Sequence, residues 1–263
     1  MNYIIEQFIN GISQGAIYAL FAIGFALIVG VVGLPTFTHG EVIMIGAFAV
    51  YYCTTFVSDN LFLSIFVCFF ITGLFGILIH KICYERFENA PHYIPLVCTI
   101  GVSMLVKSLA QIVFGSETKS MPQIIEPGYI ELGAIRISNV QLTVLGVVIA
   151  LCVVLTLFLY KTKQGRILRA VSQDKTAAAL VGVNVQRATL LGNVIGCGIG
   201  GIGGMLYAIY YSTFSPTMGL GVAMKAFAST VLGGMTDISM SAIGGFVIGI
   251  FENLGIMVFS SSL

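Results

Sequence analysis

Long apolar runs alternate with short polar segments along the chain. The long runs cover residues 8–33, 41–57, 61–80, 94–114, 140–160, 188–213 and 242–259, and a shorter one covers 225–235. A helix needs about 20 mostly apolar residues to cross a membrane, whereas 225–235 is too short to cross alone. The runs do not alternate with a period of two, which favours helices over a barrel. The pattern predicts an all-α integral membrane protein, a polytopic helix bundle of about 7–8 spans with broken or re-entrant helices.

Composition supports this prediction. Of 263 residues, 57% are hydrophobic and 9% are charged, whereas soluble domains carry about 25% charged residues. The net charge of +1 argues against a nucleic-acid partner. The cysteines form no C-x-x-C pair and the histidines lie at no zinc spacing, so we expect neither a disulfide framework nor a metal site. The first basic residue is Lys81, so we expect no cleavable signal peptide.

The basic residues are unevenly distributed. Six of the twelve lie between 161 and 187, and cytoplasmic loops of membrane proteins are enriched in Lys and Arg. We therefore expect 161–187 to be cytoplasmic, 115–139 external and 81–93 internal. The chain before Lys81 has no positive charge, which leaves the side of the N-terminus open.

The segment "LLGNVIGCGIGGIGGMLYA", 190–208, matches G-x-G-x-x-G twice. A dinucleotide-binding loop needs a preceding strand and a soluble βαβ unit, but here apolar residues flank the glycines on both sides. Small residues recur instead every four positions, which predicts a helix face for close packing. The residues on that face are Ala188, Gly192, Gly196, Gly200, Gly204 and Ala208.

Catalytic motifs are missing from the sequence. No Walker A pattern occurs, so we expect no P-loop ATP hydrolysis by this chain. Neither G-x-S-x-G nor H-E-x-x-H occurs either. An enzymatic function has little support, and no bound cofactor is expected.

Polar residues interrupt the apolar pattern in "GLPTFTHGEVIMIGAF", 33–48. Pro35 should break a helix, and the next helix should begin with the cluster Thr38, His39, Gly40 and Glu41. Broken helices often line transport pathways, and polar groups inside a membrane are candidates for function. The alternative is an ordinary turn at the membrane interface.

A second polar cluster lies in "CTIGVSMLVKSLAQIVFG", 98–115. It contains Thr99, Gly101, Ser103, Lys107 and Gln111. The last three are spaced by four residues and therefore share one helix face. That face is expected either to point into the bundle and line a pathway or to let Lys107 reach the external interface.

The third cluster lies in 215–245. Two glycine-bearing, turn-like stretches flank the short run 225–235, which suggests a re-entrant or partial span. Lys225 should then lie at the start of a short helix, where the helix dipole disfavours a cation. Glu252, in the last run, is a candidate partner for Lys225.

The basic segment begins as a charged loop and continues as "DKTAAALVGVN". Asp174 is a candidate N-cap, and Gly182 is a candidate stop. This predicts a short cytoplasmic helix over 174–181, either as a solvated surface helix or as a docking helix for a partner.

Four strings together resemble the permease subunits of bacterial ABC importers for branched-chain amino acids, the LivH type. They are "NGISQGAIYALFAIGFALIVGVVGLPTFTHGEVIMIGAF", "TIGVSMLVKSLAQIVFG", "GRILRAVSQDKTAAALVGVNVQRA" and "AMKAFASTVLGGMTDISMSAIGGFVIGIFENL". The resemblance implies a single transmembrane permease domain over 1–263, located in the bacterial cytoplasmic membrane. Within it, the coupling segment that docks on an ATPase would contain Gly165, Arg166, Arg169, Asp174, Ala177, Ala178 and Gly182.

The resemblance also implies partners. These are a second, LivM-like permease subunit, two ATP-binding subunits that hold Mg-ATP, and an extracytoplasmic solute-binding protein. Members of the family usually continue with one more span and a basic tail, whereas this sequence stops at "VFSSSL". We therefore expect the C-terminal span of the family to be missing.

Several functions remain open at this point. A translocation subunit for branched-chain or other hydrophobic amino acids comes first, and permeases of the same type serve urea and short amides. A stand-alone secondary carrier or channel would explain the polar clusters equally well, but carriers often show inverted repeats, and none is evident here. A purely structural membrane protein would not need His39, Glu41, Lys107 and Glu252 in or near apolar spans.

Overall fold

The computed structural model describes residues 2–87, 90–91, 93–126, 128–132 and 135–260. Its helices are α1 (Asn2–Val32), α2 (His39–Phe56), α3 (Leu61–Ile79), α4 (Tyr93–Phe114), α5 (Asn139–Lys161), α6 (Lys163–Gln173), α7 (Lys175–Leu180), α8 (Val185–Tyr211), α9 (Met218–Leu232) and α10 (Ile238–Ser260). A π-helical turn, His80–Tyr84, and a 3-10 turn, Glu85–Phe87, extend α3. Two antiparallel ladders pair β1 (Lys119–Ser120) with β4 (Thr213–Phe214), and β2 (Tyr129–Leu132) with β3 (Ile135–Ser138).

Six helices in the described ranges are long and apolar enough to cross a membrane, judged by length and composition. They correspond to every predicted long run except 41–57. That run forms α2, whose first turn carries His39 and Glu41. The predicted all-α, polytopic membrane bundle is confirmed.

The first helix forms the centre of the bundle. The most apolar stretch of α1, 18 residues long, is completely buried. Small residues allow α10 to approach closely, because a Cβ on Gly15 would lie 2.8 Å from the Cα of Phe246. Such close backbone contact offsets the low helix propensity of glycine.

The second helix begins inside the bundle. After α1 ends at Val32, the chain turns at Gly33, which has φ +78°. It then returns far enough for His39 to lie beside Gly24 of α1 and Gly200 of α8, both of which are interior helix positions. The predicted break around Pro35 is therefore observed, and it places the polar start of α2 within the helix bundle.

Two local predictions were wrong. Residues 163–173 form the helix α6 rather than a charged loop, because Leu168 and Val171 share a buried face. The short helix predicted over 225–235 begins earlier, at Met218, and ends at Leu232. Lys225 therefore lies in the middle of α9, and the expected conflict with the helix dipole does not arise.

Candidate translocation site and coupling segment

His39 is fully buried at the start of α2. Its Nε2 lies 3.2 Å from the backbone oxygen of Phe21, and its ring packs edge-on against Phe25 with the centroids 5.6 Å apart. Nδ1 has no hydrogen-bond partner among the described residues. The neighbouring Thr38 is also buried, and its hydroxyl lies 2.8 Å from that of Thr36.

Glu41 brings two of the predicted clusters together. The hydroxyl of Ser103 donates a hydrogen bond to Glu41 Oε1 at 3.1 Å, and Lys107 interacts with the same carboxylate electrostatically. In the described part of the chain, Oε2 has no hydrogen-bond partner. The contacts with Ser103 and Lys107 join the start of α2 and one face of α4 into a single polar cluster. The helix dipole also stabilises an acidic group in the first turn of a helix.

Other predicted pathway residues have different surroundings. Thr99 is buried, and its hydroxyl accepts a hydrogen bond from the Phe37 backbone at 3.4 Å. Gly40 packs so tightly against α9 that an added Cβ would collide with the Gly219 carbonyl oxygen. Gly101 is exposed, and a Cβ there would meet no atom within 4 Å. The pathway role of these residues stays a prediction.

The four glycines of the small-residue face each lie against another helix. Added Cβ atoms would meet Val31 at Gly192, Ile28 at Gly196, His39 at Gly200 and the Ile43 carbonyl oxygen at Gly204. The first two partners lie on α1 and the last two lie on α2. The glycine pattern thus allows α8 to hold in place the broken segment, residues 33–41, which connects α1 to the first turn of α2.

Lys225 belongs to a separate polar network between α1, α9 and α10. Its ammonium forms an ion pair with Glu252 Oε1 at 2.6 Å and donates to the Tyr18 hydroxyl at 2.6 Å. It also lies 4.9 Å from the centre of the Tyr18 ring. The structure therefore contains the pair that the sequence left open.

Sequence reasoning missed the residues that hold this network. Gln14 donates through its amide to the Tyr18 hydroxyl, and the Asn253 amide donates to Gln14 Oε1 at 2.6 Å. All three side chains are buried. The available signal was polar residues at 14 and 18, one helical turn apart inside an apolar run.

The predicted coupling segment is a pair of short helices. Asp174 caps α7 by accepting a hydrogen bond from the Ala177 backbone at 2.9 Å, and Gly182 follows the helix with φ +84°. Gly165 is buried against the end of α5, whereas Arg166 is exposed. Arg169 donates to the Leu159 carbonyl at 3.2 Å. Ala177 is exposed and Ala178 is buried.

One lysine connects this segment to the bundle. The ammonium of Lys175, the first residue of α7, donates to the backbone oxygen of Val32, the last residue of α1. The other end of α7 is apolar and open, with Leu180 84% and Val181 79% exposed. The helix α7 therefore has one side attached to the central helix and an exposed apolar tip.

Comparison with known proteins places this architecture among transport permeases. Residues 7–263 match the family model described as branched-chain amino acid transport system, permease component. No solved structure matches the chain.

Three relatives are similar over most of their length. The high-affinity branched-chain amino acid permease protein BraD of Pseudomonas aeruginosa is 29% identical over 97% of this chain and 87% of its own length. LivH of Escherichia coli, with the same description, is 30% identical over 96% and 86%. The probable branched-chain amino acid permease LivH of Methanocaldococcus jannaschii is 26% identical over 89% and 76%.

Proposed function

Because the chain belongs to the family of permease components of branched-chain amino acid transport systems, we propose that it is the translocation subunit of an ATP-driven amino-acid importer. It is a multi-pass protein of the cytoplasmic membrane. The proposed substrates are branched-chain or other hydrophobic amino acids. The proposed partners are a second permease, two ATP-binding subunits that carry Mg-ATP, and an extracytoplasmic binding protein.

The arrangement of α6 and α7 carries the ATP-driven part of the proposal. These helices lie between two apolar spans, and Leu180 at the end of α7 and the following Val181 are exposed. Exposed apolar side chains beside charged ones are typical of a protein-docking site. An ATPase that moves α7 would act on α1 through the bond from Lys175 to Val32.

This contact supports a mechanism of alternating access. The end of α1 leads directly into Gly33 and the broken segment that carries His39 and Glu41. A displacement of α7 would therefore be transmitted first to the polar start of α2. ATP can favour one of the two conformations of the transporter only if it binds that conformation more tightly than the other.

Charge reversal tests the coupling. Cells that express the complete system and lack other leucine transporters would be assayed for uptake of radiolabelled L-leucine and for recovery of the ATPase with the tagged chain. R166E combined with D174K should reduce both at least tenfold, and K161E, outside the short helices, is the matched control. The coupling role would be refuted if ATP-dependent uptake persisted in the double variant. An independent carrier would be favoured if the native chain purified in a folded state but without an ATPase.

A further inference from the structure

The ion pair between Lys225 and Glu252 joins two predominantly apolar helices, α9 and α10. Glu252 lies in α10, which is long and apolar enough to cross a membrane, Lys225 lies in the shorter apolar helix α9, and the two charges meet at 2.6 Å. A charged side chain inside a membrane is costly and is usually associated with function. A pair of apolar residues at these positions would pack α9 against α10 without that cost.

This pair is accessible. The side chain of Lys225 is 33% exposed and that of Glu252 is 30% exposed. The adjacent residues Met224 and Phe251 are apolar and mostly exposed, at 57% and 70%. Contact of this face with lipid tails alone would leave the two charges in an unfavourable environment, so we expect the face to border a polar pathway.

The remaining members of the network hold the pair in position. The Tyr18 hydroxyl accepts hydrogen bonds from Gln14 and from Lys225, which leaves its own proton to donate. Glu252 and Tyr211 are the neighbouring groups that interact with this hydroxyl. Asn253 in turn anchors Gln14 at 2.6 Å. A charged pair supported by buried, hydrogen-bonded neighbours is preorganised for a ligand.

The chemistry of the pair fits one class of ligand. A free amino acid carries a carboxylate and an ammonium on the same carbon atom. Its carboxylate can replace Glu252 as the partner of Lys225, while its ammonium pairs with Glu252. Both charges of the site then stay neutralised. Urea and short amides carry no charge for either residue.

We propose that Lys225 and Glu252 bind the zwitterionic head group of the transported amino acid, with Tyr18 positioning the Lys225 ammonium. This inference rests on the proposed function and narrows it to amino acids rather than urea or amides. Lys225 and Glu252 are 27 residues apart in the sequence, on two helices that a turn at Gly233 and Gly234 joins.

The first test is uptake of L-leucine by the complete system carrying K225M/E252Q. This double variant removes both charges together, so neither remains unpaired and the fold should be retained. We expect at least a tenfold loss of uptake with normal recovery of the assembled complex. Uptake within twofold of the native system would overturn the inference and leave the proposed function intact, whereas absence of leucine uptake by the native system would refute the proposed function itself.

A binding measurement separates a ligand site from a structural pair. The chain has no tryptophan, so F251W places a single fluorescent reporter beside Glu252 in the purified chain in nanodiscs. Titration with L-leucine should saturate. The half-ligands 4-methylpentanoate, which lacks the ammonium, and 3-methylbutylamine, which lacks the carboxylate, should bind at least tenfold more weakly.

Matched variants complete this test. In the F251W background, K225M/E252Q should abolish the leucine response. K119M should not change it, although Lys119 also lies over a tyrosine ring, that of Tyr51, at 5.5 Å. Equal binding of leucine and the two half-ligands, or an unchanged response in K225M/E252Q, would show that the pair is structural only.

Discussion

The imidazole of His39 lies directly against Gly200, and this contact fixes the start of α2 to the middle of α8. A Cβ on Gly200 would lie 2.5 Å from His39 Cε1 and 3.0 Å from Nε2. The same imidazole nitrogen lies 3.2 Å from the Phe21 carbonyl oxygen. The position of the broken segment therefore depends on the absence of a side chain at residue 200.

The substitution G200A should destabilise the protein and reduce uptake, because His39 would have to leave its position. Overpacking of a well-packed core typically costs about 1–3 kcal/mol. The measurement is the thermal unfolding midpoint in detergent together with leucine uptake. G101A is the matched control, since a Cβ at Gly101 meets no atom within 4 Å. Equal midpoints for the two variants would contradict the assigned contact.

The hydrogen bond from Ser103 to Glu41 gives a second prediction. In S103A the buried carboxylate loses its only direct hydrogen-bond donor among the described residues, which typically costs about 1–3 kcal/mol. We expect lower uptake at normal expression, because the start of α2 is less firmly held against α4. S108A, an exposed position on the same helix, should behave like the native chain, and a similar loss in both variants would count against the role of this bond.

Two features of the candidate site could be predicted from the sequence. The four-residue spacing predicts that Ser103 and Lys107 share one face of α4, and the residue types around Pro35 predict the break between α1 and α2. The contact between Ser103 and Glu41 joins residues 62 positions apart, and no local pattern determines which helices become neighbours. The network around Tyr18 could not be predicted for the same reason, since Gln14, Lys225 and Asn253 come from three helices.

The predicted helix boundaries were wrong where packing overrides local propensity. Gly219 and Gly221 suggested a turn before residue 225, yet both lie in α9. A Cβ on Gly219 would lie 3.0 Å from both carboxylate oxygens of Glu41, so the glycine permits a close helix contact. The helix α6 was missed because its charges masked the spacing of Leu168 and Val171.

The bond from Lys175 to Val32 predicts a specific defect in coupling. K175M keeps most of the side-chain volume but removes the donor, so movement of α7 should displace α1 less. ATPase activity of the purified complex should persist while leucine uptake per ATP falls severalfold. K163M, an exposed lysine at the start of α6, is the control. A proportional loss of ATPase activity and uptake would indicate failed assembly instead and would contradict this route.

The cap at Asp174 distinguishes helix geometry from charge in the coupling segment. The carboxylate accepts a hydrogen bond from the Ala177 backbone at 2.9 Å, and loss of such a cap typically costs about 1 kcal/mol. In a helix of six residues this is enough to increase local opening, so D174A should weaken ATPase recovery with the tagged chain. D174N retains a capping oxygen without the charge. If the hydrogen-bonded cap is required, D174N should restore recovery of the ATPase to near the native level. Equal defects in D174N and D174A would instead assign the effect to the negative charge, as expected for an ion pair with the ATPase.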